Sequence, residues 1–232
     1  MLFLCYGRFY NDLPLGVHNW AQSDRYSVAV KFLDELDFFK SRTHNLSTID
    51  GRCGVEFPAI QYLSARIASL TSSKYLPMIY RTINLTILVL GLWMFVLAWD
   101  VQTFHKIILA FLLFFSPVLL FYGYNFLPDT AGFGLLLLGM GFFIKFNQTS
   151  RLRFAIMSLA FAGLATLFKT TCGIYFLALT GTYGIHFITP LQLKKGLKVL
   201  ATFVCFAGLI FLYDYFYFHK VNTDFYSRIF MS

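Results

Sequence analysis

Residues 76–99 read Leu76-Pro-Met-Ile-Tyr-Arg-Thr-Ile-Asn-Leu-Thr-Ile-Leu-Val-Leu-Gly-Leu-Trp-Met-Phe-Val-Leu-Ala-Trp99. Apart from Arg81 near its start, the stretch carries no charge. Its length predicts a helix able to cross about 30 Å of hydrocarbon. The composition agrees: of 232 residues, 58% are hydrophobic, 20% aromatic and only 13% charged. Soluble domains usually carry about 25% charged residues. Mean hydropathy is +0.64. The chain reads as an integral membrane protein. Its net charge of +8 fits cytoplasmic loops and headgroup contacts rather than nucleic acid.

Further apolar stretches lie at His105–Phe126, Asp129–Phe146, Phe154–Phe168, Cys172–Phe187 and Leu197–Phe218. Pro117 predicts a kink in the first of them. Residues 76–218 are thus expected to hold six transmembrane helices in an all-α, polytopic membrane helical bundle. Residues 1–10 look like the remnant of an earlier span and the chain like a fragment. Residues 11–75 read as an outer loop, and 219–232 as the start of another outer-side segment. Lys106, then Lys145, Arg151 and Arg153, then Lys194, Lys195 and Lys198 fall on one side if the spans alternate. The other side's short links hold only Asp129 and Lys169. The basic side is therefore expected to face the cytoplasm.

The polar segment His18–Pro58 stands apart from these spans. Ser23 is expected to cap a helix, with Asp24 in its first turn. Tyr26, Ala29, Leu33 and Leu36 would form one apolar face of an interfacial amphipathic helix. Lys40–Gly54 reads as a loop. Pro58 is expected to start a second short helix, with Ile60, Leu63, Ile67 and Leu70 on its apolar side and Gln61, Ser64 and Arg66 opposite.

Several charged residues are candidates for chemistry. Asp24 and Glu56 each lie at or just before an expected surface helix, where a carboxylate could accept a proton from an attacking hydroxyl. General bases of this kind contribute roughly 10²–10⁴-fold. A helix-start role for Asp24 and a solvated loop charge for Glu56 account for the same residues without chemistry. Asp129 comes directly after Pro128 at a helix start. Arg81 and Lys169 lie close to membrane depth, where a charge costs roughly 2.5–3.5 kcal/mol and normally has a partner or a task; a phosphate or simple snorkelling would suit both. The tyrosines around Asp214 read as an interfacial aromatic belt. Cys5, Cys53, Cys172 and Cys205 form no CxxC pair, and the five histidines show no metal-ligand spacing. Asn45-Leu-Ser47 and Asn84-Leu-Thr86 match the glycosylation acceptor pattern, which is common by chance.

Three short motifs carry a resemblance: Asn19-Trp20-Ala-Gln-Ser-Asp24-Arg25-Tyr26, Gly54-Val-Glu56-Phe57-Pro58 and Tyr80-Arg81-Thr-Ile-Asn84-Leu. Leu127-Pro128-Asp129 and Leu167-Phe168-Lys169-Thr170-Thr171-Cys172-Gly173 extend it. Together they resemble the GT-C glycosyltransferases, in particular the dolichyl-phosphate-mannose protein mannosyltransferase-like branch that includes bacterial aminoarabinose transferases. The resemblance implies a GT-C type bundle that moves a sugar from a polyprenyl-phosphate donor to a lipid, glycan or protein acceptor. It places the site on the periplasmic face of a bacterial inner membrane. It implies Asp24 and Glu56 as catalytic residues, and Arg25, Tyr26, Arg81, Asp129 and Lys169 as substrate-binding residues. It names no particular cofactor and leaves a divalent metal open. Related enzymes often carry Asp-Glu just before the Arg-Tyr pair, where this chain has Gln22-Ser23-Asp24. The competing readings are a lipid-linked substrate transporter or flippase, and a non-catalytic membrane subunit.

Overall fold

A computed structural model describes residues 7, 10–14, 16, 18–44, 51–188 and 192–219. Most of the expected first-span remnant, the Asn45-Leu-Ser47 motif and residues 220–232 lie outside the described residues. The described chain is helical, with a single isolated β-bridge between Arg42 and Arg52. The helices are α1 (Asn19–Asp34), α2 (Ala59–Leu70), α3 (Leu76–Ala98), α4 (Thr103–Phe114), α5 (Pro117–Tyr122), α6 (Asp129–Thr149), α7 (Leu152–Phe168), α8 (Gly173–Ile188) and α9 (Leu193–Tyr213).

Among the described residues, three stretches are long and apolar enough to cross a membrane: Ser73–Ala98, Asp129–Thr149 and Leu193–Tyr217. The span expected at His105–Phe126 is instead two short helices. Pro117 has no N–H to donate and its ring excludes the carbonyl four residues back, so α4 ends at Phe114 and a new helix begins. Ser116 starts it, accepting from the Leu119 N–H at 3.2 Å. α7 and α8 hold 17 and 16 residues, fewer than the ~20 a straight crossing takes.

The chain divides into two compact units. The first comprises Met1–Leu85, Phe121–Pro128 and Leu212–Ser232; the second comprises Thr86–Leu120 and Asp129–Phe211.

In the first unit α1 packs on α2 through Val28, Phe32 and Ala65, joined by Val55. α1 buries Ala29 of its expected apolar face, and Leu33 and the following Leu36 pack against the same core, whereas α2 leaves Leu63 and Leu70 of its expected face exposed. α1 begins at Asn19, so Ser23 lies inside it and bonds back to Asn19 at 3.3 Å rather than capping. Asp24 is consequently past the first turn. The buried stripe is Gln22, Val28, Ala29 and Phe32. α2 buries Ile60, Gln61, Ser64, Ala65 and Ala68, while Leu63 and Leu70 are 47% and 75% exposed. Small residues let helix axes approach, and apolar residues need no burial where lipid is the solvent. The loop between α1 and α2 is also ordered where described. Thr43 N–H donates to Gly51 at 2.8 Å and Cys53 N–H to Ser41 at 3.2 Å. Gly51 has φ +64°, and a Cβ there would lie 2.7 Å from the Thr43 oxygen, so this turn requires glycine.

The second unit is organised around α6. Gly134 and Gly141 face α3, where a Cβ would come within 2.7 Å of the Ile87 oxygen and 3.0 Å of the Met94 oxygen. Gly132 and Gly139 face the opposite way, where a Cβ would come within 3.1 Å of Lys169 Cβ and 3.0 Å of the Ser158 oxygen. The rising register of 87, 94 and 98 against 134, 141 and 148 makes α3 and α6 parallel; Gln148 closes the seam by donating to the Ala98 carbonyl at 2.8 Å. The falling register against 158 and 169 makes α7 antiparallel. α8 and α9 complete this core through Phe176, Leu179, Tyr183, Phe187 and Val199.

Gly134→Ala is expected to destabilise the protein by about 1–3 kcal/mol, because backbone rather than a flexible side chain must yield. Gly184→Ala, where a Cβ meets nothing within 4 Å, is expected to be neutral or stabilising. Thermal unfolding in detergent distinguishes the two.

Candidate functional site

In the first unit, Arg25 projects from α1 and Glu56 from the turn before α2. They form an ion pair at 3.0 Å, with side chains 23% and 22% exposed. Asp24 is exposed beside them on α1. Partial burial strengthens such a pair relative to one in open water. Phe57, next to Glu56, meets the Tyr213 ring edge-on at 5.3 Å. The Tyr213 hydroxyl donates to the Val55 carbonyl at 2.8 Å. Tyr217, one turn on, accepts from the Ser41 N–H at 3.2 Å and contacts the Ser41 hydroxyl. These tyrosines, expected as a membrane-interface belt, thus fasten the loop that carries Glu56. An aromatic cluster near a helix end serves either purpose, so its residues alone do not distinguish the two.

Cys53 lies in the same neighbourhood. Burial pushes its thiol up to about 11; the Arg25 charge lowers it and the Asp24 charge raises it. Tyr26 packs on Phe126 with ring centroids 4.9 Å apart. Burial raises its hydroxyl too, against a lowering by the Arg81 charge.

Arg81 is 2% exposed. Its Nε donates to the Tyr124 carbonyl at 2.8 Å, and one Nη donates to the Tyr10 and Asp12 carbonyls at 3.0 and 2.6 Å. The guanidinium lies 4.4 Å from the Phe126 ring centroid, a cation–π distance. Its neighbours on α3 act alike. Tyr80 donates its hydroxyl to Phe126 O at 2.8 Å, and Asn84 donates to Asn125 O and Leu127 O, each at 3.0 Å. Arg81 also lines a cleft of about 140 Å³ with Asp12, Gln22 and Asn125. Its hydrogen bonds nevertheless make it a holder of loops, where its charge and depth alone suggest phosphate or snorkelling.

In the second unit Asp129 opens α6 and Lys169 ends α7, and they pair at 3.1 Å with side chains 43% and 31% exposed. The antiparallel α6–α7 hairpin explains the meeting: residues forty positions apart return to the same end. Lys145, Arg151 and Arg153 occupy its other end. Phe146 packs there on His186 and Phe187 at 4.9 and 5.7 Å, so Lys194 and Lys195 at the start of α9 belong to that end too.

Among the described residues, no group of three or more His, Cys, Asp and Glu side chains could hold a metal ion. Comparison with known proteins shows no matching family model, no matching characterised protein and no matching solved structure.

This geometry has two measurable consequences. Arg81→Lys cannot reproduce the fork that reaches three carbonyls. Each buried carbonyl left unpaired costs about 1–3 kcal/mol, so the variant should melt lower and be cut faster within 121–128 by protease. In a background with Cys5, Cys172 and Cys205 replaced by Ser, Cys53 should react with iodoacetamide roughly a hundredfold more slowly at pH 8 than after unfolding. Because its folded value lies above the free-thiol value of 9.0, its stabilising contribution is complete below pH 9. It is lost as pH rises toward 11.

Proposed function

We propose that the chain is a polytopic membrane glycosyltransferase of GT-C type, using a polyprenyl-phosphate sugar donor and an acceptor hydroxyl. The observation that carries this reading is the arrangement on the first unit. An exposed carboxylate, Asp24, stands next to a half-buried guanidinium, Arg25, which Glu56 holds in place. Displacement of a phosphate by a hydroxyl uses a base for the incoming proton and a cation for the departing charge, and these residues supply one of each. Asp24 accepts the proton of the acceptor hydroxyl, whose oxygen attacks the anomeric carbon. The bond from that carbon to the phosphate oxygen breaks, and the polyprenyl phosphate departs with the electron pair. Arg25 offsets the charge that builds on it. Glu56 positions Arg25, and Arg81 acts at a distance by fixing the 124–127 loop. Asp129 and Lys169 form a second ion pair, for which substrate binding is proposed.

The distribution of charge within the second unit supports a non-cytoplasmic place for the Asp129–Lys169 pair. Lys145, Arg151, Arg153, Lys194 and Lys195 gather at one end of the α6–α9 core and Asp129 with Lys169 at the other. The excess of cations marks the first end as cytoplasmic. A bacterial inner membrane and a periplasmic site are part of the same proposal. A transporter would need polar groups along its spans. The core of the second unit is instead mostly Phe, Leu, Ala and Val, with Tyr183, Ser158 and Thr166 as polar exceptions.

Asp24→Asn in the full chain is expected to reduce sugar transfer by roughly 10²–10⁴-fold while leaving the melting temperature unchanged. Arg25→Gln should lower turnover as well, and Lys169→Gln should raise KM. Transfer by Asp24→Asn at the wild-type rate would remove the base and favour a transporter or a non-catalytic subunit.

A further inference from the structure

The cleft beside Arg81 lies wholly within the first unit and measures about 140 Å³. Its polar lining comes from Asp12, Gln22, Arg81 and Asn125, and Phe121 and Tyr124 supply aromatic walls. Gly16 lines it too. A Cβ there would reach Phe121 ring carbons at 3.7 and 3.8 Å, and its φ of +84° suits glycine. One water needs roughly 10–15 Å³ of such space, so the cleft holds far more than a single water. It is well below the ~300–1,000 Å³ of a site for a drug-sized molecule. A cleft of this size takes one small ring.

Charge narrows what that ring can be. Asp12 is exposed. It accepts from Arg81 through its backbone carbonyl at 2.6 Å, so its carboxylate takes no part in holding the loop. The Asp12 charge is near enough to act on Arg81, and one carboxylate offsets one guanidinium. An anion in the cleft would be opposed by Asp12 and a cation by Arg81; a neutral molecule meets neither penalty. Asn125 adds an unmet demand. Its Oδ1 accepts the Leu127 N–H at 2.9 Å, its carbonyl accepts from Asn84 at 3.0 Å, and its N–H donates to the Tyr122 carbonyl at 3.3 Å. Its Nδ2 is buried and has no partner. Buried donors are normally paired, so this one calls for an acceptor.

We propose that this cleft binds a single neutral sugar ring, a pyranose. Its hydroxyls donate to the Asp12 carboxylate and accept from Asn125 Nδ2, and the Gln22 amide can serve either way. Its C–H face lies against Phe121. A few polar groups that fix orientation beside an aromatic wall are the usual make-up of a small-molecule site. Gln22 stands three residues before Arg25 on α1, and residues so spaced are neighbours on a helix surface. The ring therefore lies beside the Arg25–Glu56 pair. Its role as a subsite for transfer rests on the transferase reading; its binding rests on the cleft alone.

The test is a saturation-transfer NMR titration of the full chain in a detergent without a sugar headgroup. The probes are the methyl pyranosides of glucose, galactose and mannose, and inorganic phosphate. At least one pyranoside should bind saturably, and phosphate should not displace it. Asp12→Ala should weaken that binding about tenfold or more, the worth of a hydrogen bond to a charged group. Gln22→Met should weaken it as well. A melting curve for each variant confirms that it is folded, and Asp12→Ala, which keeps the carbonyl that Arg81 reaches, should melt like the wild type. The absence of saturable binding by all three pyranosides would overturn the proposal and leave a cleft filled by water. So would a folded Asp12→Ala variant that binds as tightly as the wild type, or displacement of the pyranoside by phosphate. Saturable binding that depends on Asp12, in a chain that transfers no sugar, would uphold this proposal and remove the transferase reading alone.

Discussion

Backbone carbonyls that leave a helix near lipid must find donors inside the protein, because hydrocarbon offers none. Three side chains on one turn of α3 meet that demand in the first unit. Tyr80, Arg81 and Asn84 together donate to the carbonyls of Tyr10, Asp12, Tyr124, Asn125, Phe126 and Leu127. The loop they hold delivers the chain to Asp129 at the start of α6. It also supplies the Phe126 ring against which Tyr26 packs. The guanidinium tolerates this depth because its charge is spread over a planar fork, flanked by carbonyl dipoles and an aromatic face.

Much of the helical framework is legible from hydropathy alone. Leu76–Trp99 and Asp129–Phe146 match α3 and α6 closely, since long apolar runs leave few alternatives. The faces of the helices are harder to read. In water, the apolar side of α2 would turn inward; here Leu63 and Leu70 face out, and Ser64, Ala65 and Ala68 are buried. A periodic pattern fixes which residues share a face, but the solvent decides which face is hidden, and lipid reverses the rule. Pro117 shows a related limit. Its missing donor can bend a helix or end it, and the choice falls to its neighbours. Ser116 caps the start of α5 and so makes it an end.

The candidate site is partly legible for the same reasons. Counting spans places Asp129 and Lys169 on one side, and the α6–α7 hairpin joins them. Arg25 and Glu56 each stand out by charge, but their pairing depends on how the 35–56 segment folds back, which no local pattern encodes. The fastening of that segment by Tyr213 and Tyr217 spans more than 150 residues of sequence. A contact so remote leaves no periodic trace in either partner. Arg81 is conspicuous for its charge, whereas its task comes from its geometry.

The glycines of α6 bear on which changes the second unit can accept. Each pair is separated by seven residues, close to two full turns, and the pairs look in opposite directions. α6 is thus held like a card between two others along its whole length. Only its exposed side chains can be exchanged without disturbing that grip, since Leu135, Leu136, Leu137 and Phe146 are buried as well. Inserting or deleting a single residue between positions 134 and 139 would swing everything beyond it through about 100° and turn Gly139 and Gly141 away from their neighbours together. For this helix the number of residues between the glycines matters as much as the glycines themselves.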